Sequence, residues 1–313
     1  MGNILDGKKL SDQIKADVKR EVDSLNKIGI DVGLALLLVG SNPASSQYFQ
    51  ATLRACSKVG ITAYEFNLPD TVTANEILNV VHSINLDERI NGLLILMPLP
   101  RRINARRIIN SIAPEKDIDG LGAISVGRLA ADESTFQLFK RDENDVYQQS
   151  RFIPSIWSFL PCTPFGVIRL LEHHKIPIKG RHAVIIGKSL AVGKPLSMMF
   201  LAKEATVTVC HKETLNLADI TRQADILCSA TGRTGLIEGN MVKKGAVVVD
   251  IGINVLKDGA ITGDVDFESV SQKASMITPV PGGVGPVTIA MLLENTVRSA
   301  QRNEFFKSPL TTG

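Results

Sequence analysis

Short apolar runs alternate along most of the chain with stretches in which apolar residues recur at helical spacing. The first three runs are bounded by turn residues and comprise 33–40 (GLALLLVG), 61–66 (ITAYEF) and 91–100 (NGLLILMPLP). They are continuously apolar, as strands buried on both faces of a parallel sheet are. The pattern therefore predicts an α/β fold with parallel strands and crossover helices.

A second series of such runs follows, at 182–187 (HAVIIG), 206–210 (TVTVC), 225–230 (DILCSA), 245–252 (GAVVVDIG) and 275–280 (SMITPV). After Gly285, the segment PVTIAMLLENTVRSAQR predicts one long amphipathic helix that packs back on the first domain. We therefore expect two α/β domains, one of residues 1–160 plus 285–313 and one of residues 161–284.

The stretch at about 130–160 interrupts this rhythm, because it has no clear period and mixes charges with aromatic residues. It holds six aromatic side chains, namely Phe136, Phe139, Tyr147, Phe152, Trp157 and Phe159. Loops of this length often serve as lids or binding loops. The insertion is interpreted either as a lid or as a surface segment that packs its aromatics locally.

Composition excludes several classes of protein. With 313 residues, 44% hydrophobic and 21% charged, the chain is typical of a soluble globular protein. The net charge of +3 is not gathered into a basic stripe, so no nucleic-acid partner is expected. The four cysteines are scattered without C-x-x-C spacing, which predicts neither a metal site nor disulfides and fits a reducing compartment. No signal peptide or membrane span is evident, and we expect a cytoplasmic protein without a membrane partner.

A glycine-rich turn follows the run at 182–187 and precedes a helix-like segment. In such a turn the backbone N–H groups can approach a pyrophosphate at the helix N-terminus, where the helix dipole favours an anion. The spacing departs from G-x-G-x-x-G, because Ser189 replaces the second glycine and Gly193 comes one residue late. A plain strand–turn–helix connection is the alternative. The candidate nucleotide contacts here are Gly187, Lys188, Ser189, Val192 and Gly193.

The residues that follow the next apolar run, 206–210, indicate the type of nucleotide. An NAD site usually carries Asp or Glu there, whereas a 2′-phosphate needs cations and hydroxyls. The run ends at 210 and is followed by His211, Lys212, Glu213 and Thr214, with Lys188 nearby. The sequence favours NADP, Glu213 keeps NAD possible, and the alternative for Lys212 is a solvated surface lysine. Further candidates for cofactor contact are Thr231, Gly232 and Ile253.

These features resemble the methylenetetrahydrofolate dehydrogenase/cyclohydrolase family over nearly the whole chain. The segments that carry the resemblance, in family order, are VGSNPASSQY (39–48), PLP (98–100), PEKDIDG (114–120), PCTPFGV (161–167), GKSLAVGKP (187–195), VVDIGIN (248–254), GDVDF (263–267) and TPVPGGVGPVTIAMLLENT (278–296).

The resemblance implies a fold and an activity. It implies an N-terminal α/β catalytic domain and a C-terminal Rossmann-like NAD(P)-binding domain with a returning C-terminal helix. Such enzymes oxidise 5,10-methylenetetrahydrofolate with a pyridine nucleotide and then hydrolyse the methenyl product to 10-formyltetrahydrofolate. They are typically homodimers, cytosolic or organellar.

The resemblance also implies a folate site. Asp119, expected in a turn after the last helix of the first domain, can accept hydrogen bonds from the donor edge of a reduced pterin, although Asp in a D-G dipeptide is often only a turn former. Tyr48 is expected to open a helix, and its ring would lie along the aromatic part of the folate; an isolated helical Tyr is otherwise usually core. The turn at 281–286 lets backbone approach a ligand, or is a plain loop before a helix. The substrate-binding candidates are Tyr48, Leu96, Pro98, Asp119, Pro281, Gly282 and Gly283, and the catalytic candidates are Tyr48, Thr52 and Asp119.

Two positions depart from the family pattern. The family continues from its tyrosine as Y-x-x-x-K, and this lysine serves the hydrolytic half-reaction; here the position is Thr52. The glutamine that contacts the lysine in V-Q-L-P-L-P is Leu96 here. Segment 120–125 (GLGAIS) also lacks the bulkier polar or aromatic residues and the asparagine that are common in the family. A hydroxyl cannot replace an ammonium in acid–base work, but exchanging both members of a pair can be nearly neutral for stability.

Three functional hypotheses follow. The first is an NADP-linked methylenetetrahydrofolate dehydrogenase with weakened or absent cyclohydrolase activity. The second is a fully bifunctional enzyme in which Thr52 with a water molecule, or another lysine such as Lys58, does the work of the missing lysine. The third is a catalytically silent folate- or nucleotide-binding paralogue whose aromatic insertion engages a protein.

Overall fold

The structure is a computed structural model that describes residues 2–131, 158–256 and 259–307, with side chains up to residue 302. Most of the aromatic insertion, residues 132–157, lies outside the described residues. Its two interpretations, as a lid or as a surface segment, concern these residues and stay predictions. The strands are β1 (Asn3–Ile4), β2 (Gly33–Val39), β3 (Thr62–Leu68), β4 (Gly92–Ile95), β5 (His182–Ile186), β6 (Thr206–Cys210), β7 (Ile226–Ser229), β8 (Val247–Asp250), β9 (Asn254–Val255), β10 (Ile261–Thr262) and β11 (Met276–Ile277). The α-helices are α1 (Gly7–Lys27), α2 (Pro43–Val59), α3 (Ala74–Leu86), α4 (Ala105–Ile109), α5 (Ala123–Ala130), α6 (Cys162–His173), α7 (Gly193–Ala202), α8 (Leu217–Thr221), α9 (Phe267–Ser271) and α10 (Val284–Lys307).

The chain forms two compact units. The three-stranded unit consists of Ile14–Leu160 and Leu292–Gly313, and the six-stranded unit of Met1–Gln13 and Pro161–Met291. These units differ from the expected partition at two places, because residues 1–13 join the six-stranded unit and the division in the C-terminal helix falls at 292 instead of 285. The cause at the N-terminus is β1, which pairs in parallel with β11.

The three-stranded unit contains a parallel sheet of order β3-β2-β4. The central strand β2 is buried along nearly its whole length, as its apolar sequence predicts. Alternate residues of β2, including Leu37, pack with β4 and with one face of α3, where Ile77 and Val81 are fully buried. Strand β3 alternates between exposed and half-buried positions, because it lies at the sheet edge.

The six-stranded unit contains a parallel sheet of order β1-β11-β8-β7-β5-β6, with β9 and β10 forming a separate antiparallel pair. Val184, Leu227 and Val248, one from each of three neighbouring strands, are fully buried in one core cluster. From β5 the chain passes to β6 on one side and then to β7 on the other side. Ligands of α/β proteins bind beyond the carboxyl ends of strands at such a reversal.

Helix α10 is a single helix of 24 residues. In its second half, Asn295 donates to the carbonyl of Ile118 at 2.8 Å and Ser299 donates to the carbonyl of Glu115 at 2.7 Å. The three-stranded unit therefore includes the returning end of the C-terminal helix that the sequence predicts. The two α/β parts and their parallel sheets confirm the expected fold class.

Several element boundaries differ from those expected. The N-terminal segment begins with a short strand before its helix, and β4 ends at Ile95 although the apolar run continues to Pro100, since the two prolines cannot continue a ladder. Tyr48 does not open its helix. Helix α2 starts at Pro43, because Asn42 caps it by accepting from the N–H of Ser45 at 3.1 Å.

Candidate functional site

The carboxyl ends of β2 and β4 carry the folate candidates of the three-stranded unit. Helix α2 follows β2, and its Ser45 hydroxyl donates to the carbonyl of Met97 at 2.9 Å. This bond ties the start of α2 to the loop that holds Leu96 and Pro98. Tyr48, one turn further along α2, is half-buried, whereas Pro98 is exposed. The sheet thus brings both segments to the edge where ligands bind.

Thr52 and Leu96 are both buried, with exposed fractions of 0% and 2%. The Thr52 hydroxyl donates to the carbonyl of Tyr48, four residues earlier in the helix, at 2.8 Å. Leu96 donates its backbone N–H to the carbonyl of Leu37 at 2.9 Å, so it extends the pairing of β4 with β2. Neither side chain supplies a charge, and the hydroxyl proton of Thr52 is already used in a hydrogen bond to the helix backbone.

Lys58, the other lysine considered for the hydrolytic step, lies on α2 six residues after Thr52 and is exposed. Six residues correspond to about 240° around a helix axis. Lys58 therefore lies on a different face of α2 from Tyr48 and Thr52, which are one turn apart on the same face.

Asp119 lies half-buried in the turn between a 3-10 helix (Pro114–Lys116) and α5. It therefore precedes α5 instead of following the last helix of its domain. Its neighbour Asp117 is buried and accepts from the Ser125 hydroxyl at 2.6 Å and from the N–H groups of Leu121 and Gly122 at 3.1 and 2.9 Å. Burial raises the pKa of Asp117 to about 6, against the lowering effect of these hydrogen bonds.

Ile118 directly precedes Asp119. It is fully buried, and its carbonyl accepts a hydrogen bond from the Asn295 side-chain amide at 2.8 Å. The Asp119 backbone is thus held from both sides, by Asp117 through the turn that follows and by Asn295 through the residue that precedes. Such rigid support is what a carboxylate needs to meet a ligand at a fixed position.

In the six-stranded unit, the predicted glycine turn connects β5 to α7. Gly187 has φ of 119°, and a Cβ on Gly193 would lie 1.9 Å from the Gly187 carbonyl oxygen, so both positions require glycine. The Ser189 hydroxyl oxygen accepts from the N–H groups of Val192 and Gly193 at 3.1 and 3.4 Å. Its own proton is directed elsewhere, and a serine polarised in this way at a helix N-terminus is a suitable donor to phosphate.

The tip of β6 forms a compact turn. The Thr214 hydroxyl accepts from the N–H of His211 at 2.8 Å, and His211 Nδ1 accepts from the N–H of Glu213 at 3.3 Å. The Lys212 ammonium lies 3.5 Å from the Glu213 carboxylate, with the two side chains 83% and 71% exposed. Lys212 is therefore a surface cation with a weak partner, and Lys188 is also exposed.

The loop of Pro281, Gly282 and Gly283 follows β11. The carbonyl of Gly282 accepts from the N–H groups of Gly7 and Lys8, both at 3.1 Å. These bonds satisfy the first N–H groups of α1, so the loop is fixed by the N-terminal residues of the chain. Pro281 is exposed and Gly283 is buried.

The sequence analysis selected the candidate segments but did not select the buried polar side chains that support them, among them Asp117, Asn295, Asp250 and Asp264. All four lie within segments quoted for the family resemblance, and the pair of aspartates in PEKDIDG and in GDVDF was a usable signal. Within the described ranges, no three side chains of His, Cys, Asp or Glu are grouped so that they could hold a metal ion.

Two family models match the chain. The tetrahydrofolate dehydrogenase/cyclohydrolase catalytic domain matches residues 5–119, and the NAD(P)-binding domain of the same enzymes matches residues 161–304. This chain belongs to the tetrahydrofolate dehydrogenase/cyclohydrolase family.

Individual relatives of this family match over nearly their full length. The bifunctional protein FolD of Thermodesulfovibrio yellowstonii is 44% identical over 298 residues, which is 95% of this chain and 96% of the relative. The crystal structure of the bifunctional FolD enzyme of Campylobacter jejuni has a TM-score of 0.87 and 44% identity, covering 97% of this chain and 100% of that one. The Trypanosoma brucei dehydrogenase-cyclohydrolase, solved with NADP and an inhibitor, has a TM-score of 0.86 and 32% identity, covering 97% and 98%. The match to the NAD(P)-binding domain of this family indicates that the cofactor is a nicotinamide nucleotide.

Among the described residues, no helix combines the length and the apolar character that crossing a bilayer needs.

Proposed function

We propose that this chain oxidises 5,10-methylenetetrahydrofolate with NADP and hydrolyses the methenyl product to 10-formyltetrahydrofolate. The observation that carries the proposal is the match of both family domains to this chain. The relatives named above as bifunctional support full bifunctionality better than they support the first hypothesis from the sequence, in which the cyclohydrolase is weakened or absent.

The proposed folate contacts are those that the resemblance implies. Asp119 accepts from the donor edge of the pterin, and the ring of Tyr48 lies along the aromatic part of the substrate. Leu96 and Pro98, together with the backbone of Pro281, Gly282 and Gly283, complete the substrate-binding set. Asp119 suits its role because its turn is held by buried hydrogen bonds on both sides.

NADP is the proposed nucleotide. The pyrophosphate would meet the turn at 187–193, with Ser189 as a donor, and the 2′-phosphate would meet Lys188, Lys212, His211 and Thr214. No carboxylate ends β6 itself, but Glu213 lies beside Lys212, so NAD is the alternative nucleotide. Thr231, Gly232 and Ile253 remain proposed contacts on the side of β7 and β8.

The oxidation needs orientation more than it needs acid–base catalysis. A hydride leaves the one-carbon bridge for the nicotinamide ring, the C–H bond breaks, and the substrate becomes the methenyl cation, so no protein base takes a proton. In the second reaction water adds to the methenyl carbon, the ring opens and a proton is released. A group that handles that proton speeds this step.

A dehydrogenase without hydrolase activity is the second candidate function. Thr52 and Leu96 favour it, because both are buried and neither can move a proton or carry a charge. Thr52 belongs with Tyr48 and Asp119 to the proposed catalytic set of the bifunctional enzyme; in a simple dehydrogenase its contribution would be limited to packing.

One assay separates these candidates. The purified chain is given methylenetetrahydrofolate with NADP, and the methenyl product is followed by absorbance; in a second experiment methenyltetrahydrofolate is given alone. A bifunctional enzyme accelerates both reactions, and a simple dehydrogenase accelerates only the first. A chain that accelerates neither, while binding folate or nucleotide, would be the silent paralogue and would overturn the proposal.

The homodimer and the cytoplasmic location implied by the sequence are part of the proposal. Light scattering of the purified chain measures the oligomeric state, and a mass of one chain would contradict the dimer.

A further inference from the structure

Two aspartates that the proposed reaction does not use are buried in the six-stranded unit. Asp250 ends β8 and is 4% exposed, and Asp264 follows β10 and is 0% exposed. Buried carboxylates occur where several donors satisfy them.

Asp264 holds the segment that follows β7. Its Oδ2 accepts from the Ser229 hydroxyl at 3.0 Å, and from the N–H and the hydroxyl of Thr231 at 2.6 and 2.9 Å. Its Oδ1 accepts from the N–H of Arg233 at 3.0 Å and from the Asn254 amide at 3.1 Å. One side chain thus fixes two loops that are 35 and 10 residues away along the sequence.

Asp264 is itself held by Asp250. The N–H groups of Asp264 and Val265 donate to the two carboxylate oxygens of Asp250, at 3.0 and 2.9 Å. Cβ atoms on Gly252 and Gly263 would lie 2.1 and 1.9 Å from carboxylate oxygens of Asp264 and Asp250. The two carboxylates are therefore packed directly against glycine backbone, where a larger residue would displace them.

The segment that Asp264 holds contacts the glycine turn. Ala230 donates its N–H to the carbonyl of Ile186 at 2.8 Å, and a Cβ on Gly187 would lie 2.4 Å from the Ala230 carbonyl oxygen. Strands β5 and β7 are neighbours at the reversal of the sheet, so this segment lies where a nucleotide binds. Gly232 and Arg233 in the first loop, and Ile253 beside Asn254 in the second, are exposed.

We propose that Asp264 is a positioning residue that sets Thr231–Arg233 and Ile253 in the shape that binds the nucleotide, before the nucleotide arrives. The inference rests on the proposed use of a nicotinamide nucleotide. Asp264 is fully buried, so it acts through its partners Thr231, Arg233 and Asn254. A loop ordered in advance binds more tightly because less conformational entropy is lost on binding.

The test compares Asp264→Asn with the control Asp266→Asn. The asparagine introduced by the first substitution presents an NH₂ group to donors from which Asp264 accepts, in either orientation of the amide. Asp266 is exposed and its side chain does not cap α9, so the same change two residues away leaves the loops intact. Calorimetry measures the Kd for NADP and for NAD, and steady-state assays measure the KM for folate.

Asp264→Asn is expected to raise the Kd for NADP and the Kd for NAD by about tenfold each. The two increases should be similar, because the loops lie on the side of β7 and not beside Lys212. The KM for folate at saturating nucleotide should stay within about twofold. A purely structural residue would lower the thermal midpoint of the free protein and leave the Kd of the folded fraction unchanged, and that result overturns the inference.

Ser229→Ala covers the case in which Asp264→Asn does not fold. Ser229 is fully buried, and removing its hydroxyl deprives Asp264 Oδ2 of one of its three hydrogen bonds. A smaller rise of about threefold is therefore expected in the Kd for both nucleotides. Unchanged Kd values overturn the inference. Wild-type protein that binds neither nucleotide overturns the proposed function and the inference with it. Wild-type binding with unaffected variants overturns the inference alone.

Discussion

The hydroxyl of Thr52 is bonded to the helix that carries it, and Leu96 extends a buried strand. At these two positions the family pattern has an ammonium and its amide partner. Exchange of both explains how the fold tolerates the change, since neither Thr52 nor Leu96 leaves its own buried polar group without a hydrogen bond.

Restoring the pair tests its chemical effect. If the chain is a dehydrogenase without hydrolase activity, Thr52→Lys with Leu96→Gln should raise the rate of methenyltetrahydrofolate hydrolysis by about 10²-fold or more, because the lysine can then position water as an ammonium and accept its proton as a neutral amine. Thr52→Lys alone should gain less, since the ammonium would lie beside an apolar leucine, and Thr52→Ser is the matched control without a cation. An unchanged hydrolysis rate in a double variant that still oxidises methylenetetrahydrofolate would refute this role.

Lys212 should set the preference between nucleotides. Charge-assisted contacts contribute about 1.5–3 kcal/mol, so Lys212→Ala should reduce the preference for NADP over NAD by roughly tenfold. Lys244→Ala changes another exposed lysine of the same unit and should leave the preference unchanged. Glu213→Gln removes the carboxylate 3.5 Å from Lys212 and should strengthen NADP binding. Equal Kd values for NADP and NAD in the wild type, unaffected by Lys212→Ala, would contradict this assignment.

At the scale of elements, the glycine turn between β5 and α7 is a part of the candidate site that has no space for added side-chain atoms. A methyl group at Gly193 would overlap the Gly187 carbonyl oxygen, at 1.9 Å. Gly193→Ala should therefore destabilise the protein by about 1–3 kcal/mol and sharply raise the Kd for NADP.

The control for Gly193→Ala is Gly127→Ala, which lies in α5 with open space around its Cβ position. Alanine there should raise stability by up to about 1 kcal/mol. Thermal midpoints and calorimetric Kd values check both variants. A Gly193→Ala protein that binds NADP like the wild type would show that the turn is a plain connection.

Strands β2–β8 and β11 and the turns that follow them could be predicted because they depend on local sequence: apolar runs, glycines and the residues at strand tips. The two-residue strands β1, β9 and β10 were not predicted. The start of α2 was missed because its cap, Asn42, is a single polar residue before a proline. The supports of the sites could not be predicted, because Asp264 meets Ser229 across 35 residues and Asn295 meets Ile118 across 177. Those pairings exist only once the sheets are formed.

At the scale of the whole molecule, each unit contains a buried carboxylate with a raised pKa. Burial raises the pKa of both Asp117 and Asp250 to about 6, from an ordinary value of 3.8. The folded state then retains a proton that the unfolded state has lost, so the stability contributed by these groups is present below about pH 4 and is lost as the pH rises to about 6. Asp87, whose pKa is lowered to about 2 by Arg89, acts in the opposite sense at lower pH.

Asp117→Asn should reveal this dependence. Asparagine does not titrate, so the destabilisation that it causes should be larger near pH 4 than near pH 7, by up to about 3 kcal/mol. Denaturant unfolding of wild type and variant at the two pH values measures the difference. A destabilisation that is independent of pH would mean that Asp117 keeps an ordinary pKa in the folded protein.

The central claim is that this chain moves a hydride from the one-carbon bridge of a folate to a nicotinamide nucleotide. The most direct measurement uses methylenetetrahydrofolate with deuterium at both positions of that bridge, incubated with the purified chain and NADP. The account predicts reduced nucleotide that carries deuterium, formed in step with the methenyl product. Reduced nucleotide without deuterium, or no reduction although both ligands bind, would contradict it.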